Sequence, residues 1–285
     1  MDEGWERRTA HSTNRLGVAT GLLASAAFNE HPVPLRLSGV REMNPSLFEM
    51  LEQAEDLADA GEAFYKYMMA VFGLDPEVRE PRRNPEAESD GRNKKGGKDP
   101  VRRFRSSFLR LLKGWGYDSN SPEGAVLKGW VESRFGLLPT FHKEPLMPGT
   151  GAWTVYMVEK MSSRFHNNMI YAQLDLMYEF CQWSLKHFAE PGKTHLKLYR
   201  GVNDFSEHTV VAKGKRRSWV IRLNNLVSFT HDREVADCFG DTVLEASVPV
   251  CKIAFFNTLL PAHPLKGEGE VLVVGGDYQV TAAYW

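Results

Sequence analysis

The chain has 285 residues and carries 35 lysines and arginines against 36 aspartates and glutamates, a formal charge of −1. A hydrophobic fraction of 42% with 11% aromatic residues suits a chain that buries roughly three quarters of its unfolded surface, which excludes wholesale disorder. Near-neutrality likewise excludes a globally basic nucleic-acid coat.

No apolar run reaches the ~20 residues of a membrane helix. The longest candidate, from Leu16 to Phe28, is interrupted by Gly17, Gly21 and polar residues, and the first thirty residues lack a signal-peptide core. The expectation is a soluble cytoplasmic protein without a membrane span. Asn44-Pro45 is a helix start, and Phe48, Leu51, Leu57, Phe64, Met68 and Val71 recur at helical spacing up to a stop at Gly73. Gly61 is a point at which this segment can divide into two helices. From Asp75 to Pro100 the composition turns to Pro, Gly, Asn and charge, a loop or disordered linker. Arg102 to Lys113 reads as a basic amphipathic helix ended by Gly114 to Gly116, and Ser121-Pro122-Glu123 opens another that runs to Phe135. After a Pro- and Gly-rich stretch from Pro145 to Gly151, helical periodicity returns between Trp153 and Phe188.

The pattern then switches. Short β-rich runs appear at His195–Tyr199, Ser218–Leu223, Leu226–Phe229, Thr242–Val248, Cys251–Phe256, Val271–Val274 and Gln279–Tyr284. One helix interrupts them, about Asp232 to Phe239, with Thr230 or Asp232 as its cap. Helices followed by clustered strands predict an α+β fold, with a helical region over residues 1–150, a linker at 75–100, and a β-rich region over 151–285. Cys181, Cys238 and Cys251 form no CxxC pair and have no His at metal-ligand spacing, so neither a disulfide framework nor a metal site is expected. His11, His31 and His142 read as capping or packing residues. The neutral total conceals two opposed blocks. Glu42 to Glu77 has nine acidic residues and one basic, a net of −8; Arg79 to Lys113 has twelve basic and five acidic, a net of +7. Such blocks are two solvated faces, an internal pairing, or a means of steering a charged protein partner.

Three patches in the β-rich half bring functional groups to strand ends. Tyr199-Arg200-Gly201 closes an alternating strand with a guanidinium fork suited to phosphate oxygens and a glycine that lets a ligand approach the backbone. In Ser228-Phe229-Thr230, Ser228 and Thr230 share one face, where a hydroxyl at Ser228 can position a neighbouring carboxylate. In Glu268-Gly269-Glu270, an extended segment places the two carboxylates on one side roughly 7 Å apart, too far for a shared proton. Each patch alone is equally a surface salt bridge, a helix cap or a solvated turn.

In this order they resemble the Arg-Ser-Glu class of mono-ADP-ribosyltransferases. Further blocks, among them His31-Pro-Val-Pro-Leu-Arg36, Gly114-Trp-Gly-Tyr-Asp-Ser-Asn120, Met161-Ser-Ser-Arg-Phe-His-Asn-Asn168 and His263-Pro-Leu-Lys-Gly-Glu268, are similar to one family in particular, the NAD-dependent dinitrogenase reductase ADP-ribosyltransferases. The likeness spans nearly all the chain except residues 77–98. The middle motif of the wider class is often Ser-Thr-Ser, where this chain has Ser-Phe-Thr.

The resemblance implies a mainly antiparallel, split β-sheet core that takes NAD as co-substrate. It implies that Glu270 stabilises a ribosyl cation, Ser228 holds Glu270, Arg200 binds the phosphate or adenosine-ribose side, Gly201 receives the nicotinamide amide, and Glu268 orients the acceptor arginine. Phe229, Thr230 and Phe239 complete the expected NAD-contacting set, with core packing the alternative for both phenylalanines. Asn167, Asn168 and Tyr171 are weaker candidates. The implied acceptor is the iron protein of nitrogenase and the implied regulator a PII-type signalling protein, with the helical half recognising the partner. An NAD glycohydrolase and a non-catalytic binding module on the same scaffold are the competing readings.

Overall fold

The computed structural model describes residues 13–74, 107–162, 164–166, 169–203, 205, 208–215, 217–261, 265 and 269–284. The stretch at 75–100 expected to be a linker and the start of the basic segment lie outside the described residues.

Two short helices, α1 (Thr20–Ala24) and α2 (Ala26–Glu30), come first. They are joined at Ser25, whose Oγ accepts from the Phe28 amide and donates to the Leu22 carbonyl. Next are α3 (Pro45–Leu51) and α4 (Leu57–Phe72). The break between them falls at residues 52–56 and not at Gly61. Asp56 accepts from the Asp59 amide at 2.8 Å and so starts a new helix. Gly61 stays inside α4, where a Cβ would stand 3.0 Å from the Leu259 carbonyl oxygen. Gly73 ends α4 at φ 58°, as its position predicts.

Helix α5 (Phe108–Tyr117) runs through Gly114 and Gly116, which the sequence marks as a stop. A Cβ at Gly114 would lie 2.5 Å from Glu123 side-chain carbons. The glycine is therefore there for close packing on α6 (Pro122–Phe135), not for a turn. A small hairpin of β1 (Phe141–His142) and β2 (Glu144–Pro145) follows. The helical stretch from Trp153 to Phe188 is two helices, α7 (Gly151–Lys160) and α8 (Ile170–Ser184), with a π-helical turn at Leu185–Ala189.

Helix α8 is buried on nearly every side and forms the spine of the helical layer. Phe180 stacks on Phe64 of α4 at 4.1 Å. Its buried carboxylates are satisfied: Glu179 accepts from the Leu37 amide at 2.6 Å and from Arg41 Nε at 2.5 Å, and Asp175 from Trp130 Nε1 and Arg134.

The sheet contains β3 (His195–Val202), β4 (Thr209–Lys213), β5 (Ser218–Thr230), β6 (Thr242–Pro249), β7 (Ile253–Phe256) and β8 (Glu270–Tyr284), with α9 (Arg233–Asp237) after β5. Every pairing is antiparallel, in the order β4-β5-β3-β6-β8-β7 with β5 also pairing β8. The α+β expectation holds. Two pairs of expected strands are each one long strand. The register of β5 shifts between Leu223 and Leu226, opposite Gly275 and Gly276 of β8. At Gly275 a Cβ would fall 1.6 Å from the Asn224 carbonyl oxygen, and Gly276 has φ 116°. Both strands bend there instead of ending. The first half of β8 pairs with β7 and its second half with β6, which divides the sheet. Strand β4, exposed along its length, has no apolar alternation to mark it in the sequence.

One continuous core, from Leu23 through Phe180 to Ala282, joins the helices to the sheet. Among the described residues no helix is long and apolar enough to cross a membrane.

Candidate active site

The ends of β3 and β5 and the beginning of β8 meet at one side of the sheet. Tyr199 pairs with Thr230, Thr230 with Glu270, and Ser228 with Leu272. Glu270 is two residues from Leu272 and so shares its face, which makes Ser228 and Glu270 diagonal neighbours across the two strands. Ser228 Oγ donates to Glu270 Oε1 at 2.7 Å. Arg200 Nη1 donates to the Ser228 carbonyl at 2.7 Å. Burial lowers the Arg200 pKa and the Glu270 charge opposes that shift; a guanidinium stays cationic at neutral pH. Arg200 Nε is buried and has no hydrogen-bond partner among the described residues.

These three side chains line a cleft of about 320 Å³, together with Trp115 to Ser119, Tyr199, Gly201, Phe229, Thr230, Val235 and Ala236 of α9, and Phe239 just beyond it. The volume is within the range of small-molecule sites. Two other hollows, of about 470 and 440 Å³, are larger. Neither contains Arg200, Ser228 or Glu270, and convergent polar groups mark a site better than volume does.

The remaining sequence candidates divide. Phe239 is 66% exposed on the cleft rim, whereas Phe229 is 2% exposed with its ring 6.3 Å from Tyr278, a core residue. Thr230 Oγ1 accepts from the Asp232 amide, and Asp232 caps α9 by accepting from Glu234 N. At Gly201 a Cβ would lie 2.0 Å from the Ala236 carbonyl oxygen. The close approach that this glycine permits is therefore made by α9. Tyr171 does not line the cleft and lies under the Arg134 guanidinium at 5.1 Å. Asn167, Asn168 and Glu268 lie outside the described residues. Gly269 has φ 64°, so the segment before Glu270 is not extended there, and the strand alternation that would set both carboxylates on one side does not pass through it.

Reading the sequence for chemistry missed the wall at residues 115–119. Trp115 is 3% exposed and its Nε1 donates to Ser228 Oγ at 2.9 Å. The available signal was a tryptophan between two glycines in a segment otherwise readable as a helix stop. Behind this wall, Lys128 is 1% exposed and its Nζ reaches Asn120 Oδ1 at 2.9 Å, the Phe141 carbonyl at 3.0 Å and His142 Nδ1 at 3.3 Å. His142 Nε2 in turn meets Glu159 at 2.7 Å. The described residues hold no cluster of three or more metal-ligating side chains, and Cys181, Cys238 and Cys251 are free thiols.

The profile of the dinitrogenase reductase ADP-ribosyltransferase family matches residues 13–282. The chain belongs to this family. It is 64% identical over 275 residues to the NAD(+)–dinitrogen-reductase ADP-D-ribosyltransferase of Rhodospirillum rubrum, a match that covers 96% of this chain and 95% of that protein. No solved structure matches the chain. Family membership gives the convergence of Arg200, Ser228 and Glu270 a chemical context: three strands deliver a cation, a hydroxyl and a carboxylate to one cleft, as the Arg-Ser-Glu pattern leads one to expect.

Proposed function

We propose that the protein is an arginine-specific mono-ADP-ribosyltransferase that uses NAD as co-substrate and the iron protein of nitrogenase as acceptor, so that nitrogen fixation is switched off reversibly. The observation that carries this reading is the 2.7 Å bond from Ser228 to Glu270 inside a cleft that Arg200 also lines. In this reading Arg200 holds the phosphate or adenosine-ribose side of NAD, and its unpartnered Nε is a donor available to an added oxygen. Phe239, exposed on the rim, stacks near the nicotinamide.

The C–N bond between the ribose C1′ and nicotinamide breaks, its electron pair leaves with the nicotinamide, and positive charge develops on the ribose. Glu270, held by Ser228, stabilises that charge. A guanidinium nitrogen of the acceptor then bonds to C1′ and gives up a proton. A protonated guanidinium is a poor nucleophile, and Glu268 is the carboxylate proposed to orient it and accept that proton. Residues 151–285 form the NAD-binding part with Trp115 closing it, the helical part meets the acceptor, and a PII-type signalling protein controls the enzyme in the cytoplasm.

The test is incubation with NAD and purified iron protein. The expected result is a gain of one ADP-ribose on an arginine. Nicotinamide release at full rate without acceptor would identify a glycohydrolase instead, and no NAD binding in calorimetry would identify a non-catalytic module. Glu268→Gln should abolish transfer while sparing some NAD hydrolysis; unaltered transfer would remove Glu268 from the acceptor role.

A further inference from the structure

The hydroxyl of Ser228 has two neighbours of different kinds. Trp115 Nε1 approaches Ser228 Oγ at 2.9 Å, and Ser228 Oγ approaches Glu270 Oε1 at 2.7 Å. An indole N–H is a donor and cannot accept, whereas a hydroxyl has one proton and two lone pairs. Trp115 must therefore use a lone pair of Ser228, and the single hydroxyl proton is left for Glu270. Donation into Oγ also polarises the O–H, making it a stronger donor to the carboxylate.

Trp115 is itself fixed. It is 3% exposed on α5, the preceding Gly114 lets α5 close onto Glu123, and the Lys128 ammonium lies 5.9 Å from the indole ring. Lys128 is held in turn by Asn120 and the Phe141 carbonyl. An indole packed in this way has one N–H direction, and that direction ends on Ser228.

We infer that Trp115 is a positioning residue for ADP-ribose transfer: it acts through Ser228, fixing the direction of the serine hydroxyl so that it donates to Glu270 and keeps that carboxylate aimed at the developing ribosyl cation. The inference rests on the role proposed above for Ser228 and Glu270. It gives the helical part of the chain a share in the chemistry that the Arg-Ser-Glu pattern does not contain. A residue that only filled space would affect stability without affecting turnover in a way that depends on Ser228.

The experiment is a double-mutant cycle in the full-length protein, with transfer to the iron protein as readout. Trp115→Phe keeps an aromatic ring and deletes the N–H. Its kcat should fall roughly 5- to 20-fold, the scale of one lost hydrogen bond, with the KM for NAD changed less than about twofold. In a Ser228→Ala background the same replacement should produce no further fall in kcat, because its target is gone. An equal fall in both backgrounds, or an unaltered kcat for Trp115→Phe alone, would overturn the inference. If Ser228→Ala leaves kcat intact, the reading of Ser228 and Glu270 fails and takes the inference with it. If Ser228→Ala lowers kcat and Trp115→Phe does not, only the inference on Trp115 fails. Replacing the indole by benzothiophene, which preserves shape and removes the N–H, repeats the cycle without a volume change should the phenylalanine variant unfold.

Discussion

The cleft gathers half-buried polar side chains and the cluster behind it is centred on the buried Lys128 and His142, and the two differ in how completely their charged groups are satisfied. Lys128, in its charged form, has three protons and three acceptors around it. Arg200, at the end of β3, places Nη1 on the Ser228 carbonyl and leaves Nε without a partner among the described residues. A buried donor left unpaired costs about 1–3 kcal/mol. The fold tolerates that cost at the Arg200 guanidinium and avoids it at the Lys128 ammonium. Complete satisfaction is what a structural support needs; an incomplete set is what a site that receives an oxygen-rich ligand needs.

The largest effect should separate the two regions outright. Glu270→Gln keeps an acceptor for Ser228 and changes little in packing, so the midpoint of thermal unfolding should move by only a few degrees. Transfer to the iron protein and NAD hydrolysis should both fall by about 10³-fold, the scale for removing a preorganised charge at a reacting centre. Near wild-type rates for either reaction would end the role assigned to Glu270.

The cleft side of this contrast was legible in the sequence; the Lys128 cluster and the wall in front of it were hidden for physical reasons. Arg200, Ser228 and Glu270 stand at strand ends that local alternation and turn residues reveal, because those signals depend on near neighbours. Trp115 was not legible, since its partner is 113 positions away along the chain. Gly114, Gly201 and Gly275 look like breaks or ligand contacts. Each instead permits a close approach by Glu123, Ala236 or Asn224, and no local pattern records which element will arrive. The fusion of two apparent strands into β5, and of two more into β8, has the same origin: paired irregularities at Leu223–Leu226 and Gly275–Gly276 bend both strands together.

Gly201→Ala probes the border between the regions. A methyl group there would lie 2.0 Å from the Ala236 carbonyl oxygen, so α9 must move. The stability cost should be about 1–3 kcal/mol, as for other overpacked sites, and the KM for NAD should rise because α9 and the turn after it carry the cleft wall of Val235, Ala236 and Phe239. Unchanged NAD affinity would mean that this wall does not touch the dinucleotide.

The smallest effect concerns the buried lysines, Lys128 in the cluster and Lys252 outside it, and appears as a pH slope. Burial lowers the pKa of Lys128 to about 7, opposed by Asp118 and Glu159, and that of Lys252 also to about 7, opposed by Cys251 and Asp277. An unfolded lysine holds its proton to about 10.4. From pH 7 upward the unfolded chain therefore binds more protons than the folded one at these two sites, and stability should rise with pH by at most about 1.4 kcal/mol per unit for each. The rise slackens at high pH. Burial pushes the Cys251 thiol up to about 11, so beyond pH 9 the unfolded thiol ionises first and offsets about half of the rise from the two lysines. Below about 6.5 the lowered pKa of His142, again from burial, adds a loss as pH falls, since the unfolded histidine is protonated first. Chemical denaturation between pH 7 and 9 measures the slope. Lys252 contacts the Gly275 carbonyl and the rings of Phe28 and Tyr278, none of which lines the cleft, so Lys252→Met should remove one part without altering turnover at pH 7. Lys128→Met should remove the other part and lower turnover only modestly, through its contact with the Trp115 ring. A flat profile in the parent protein would mean that both amines stay charged inside the fold and that the cluster tolerates a charge as the cleft does.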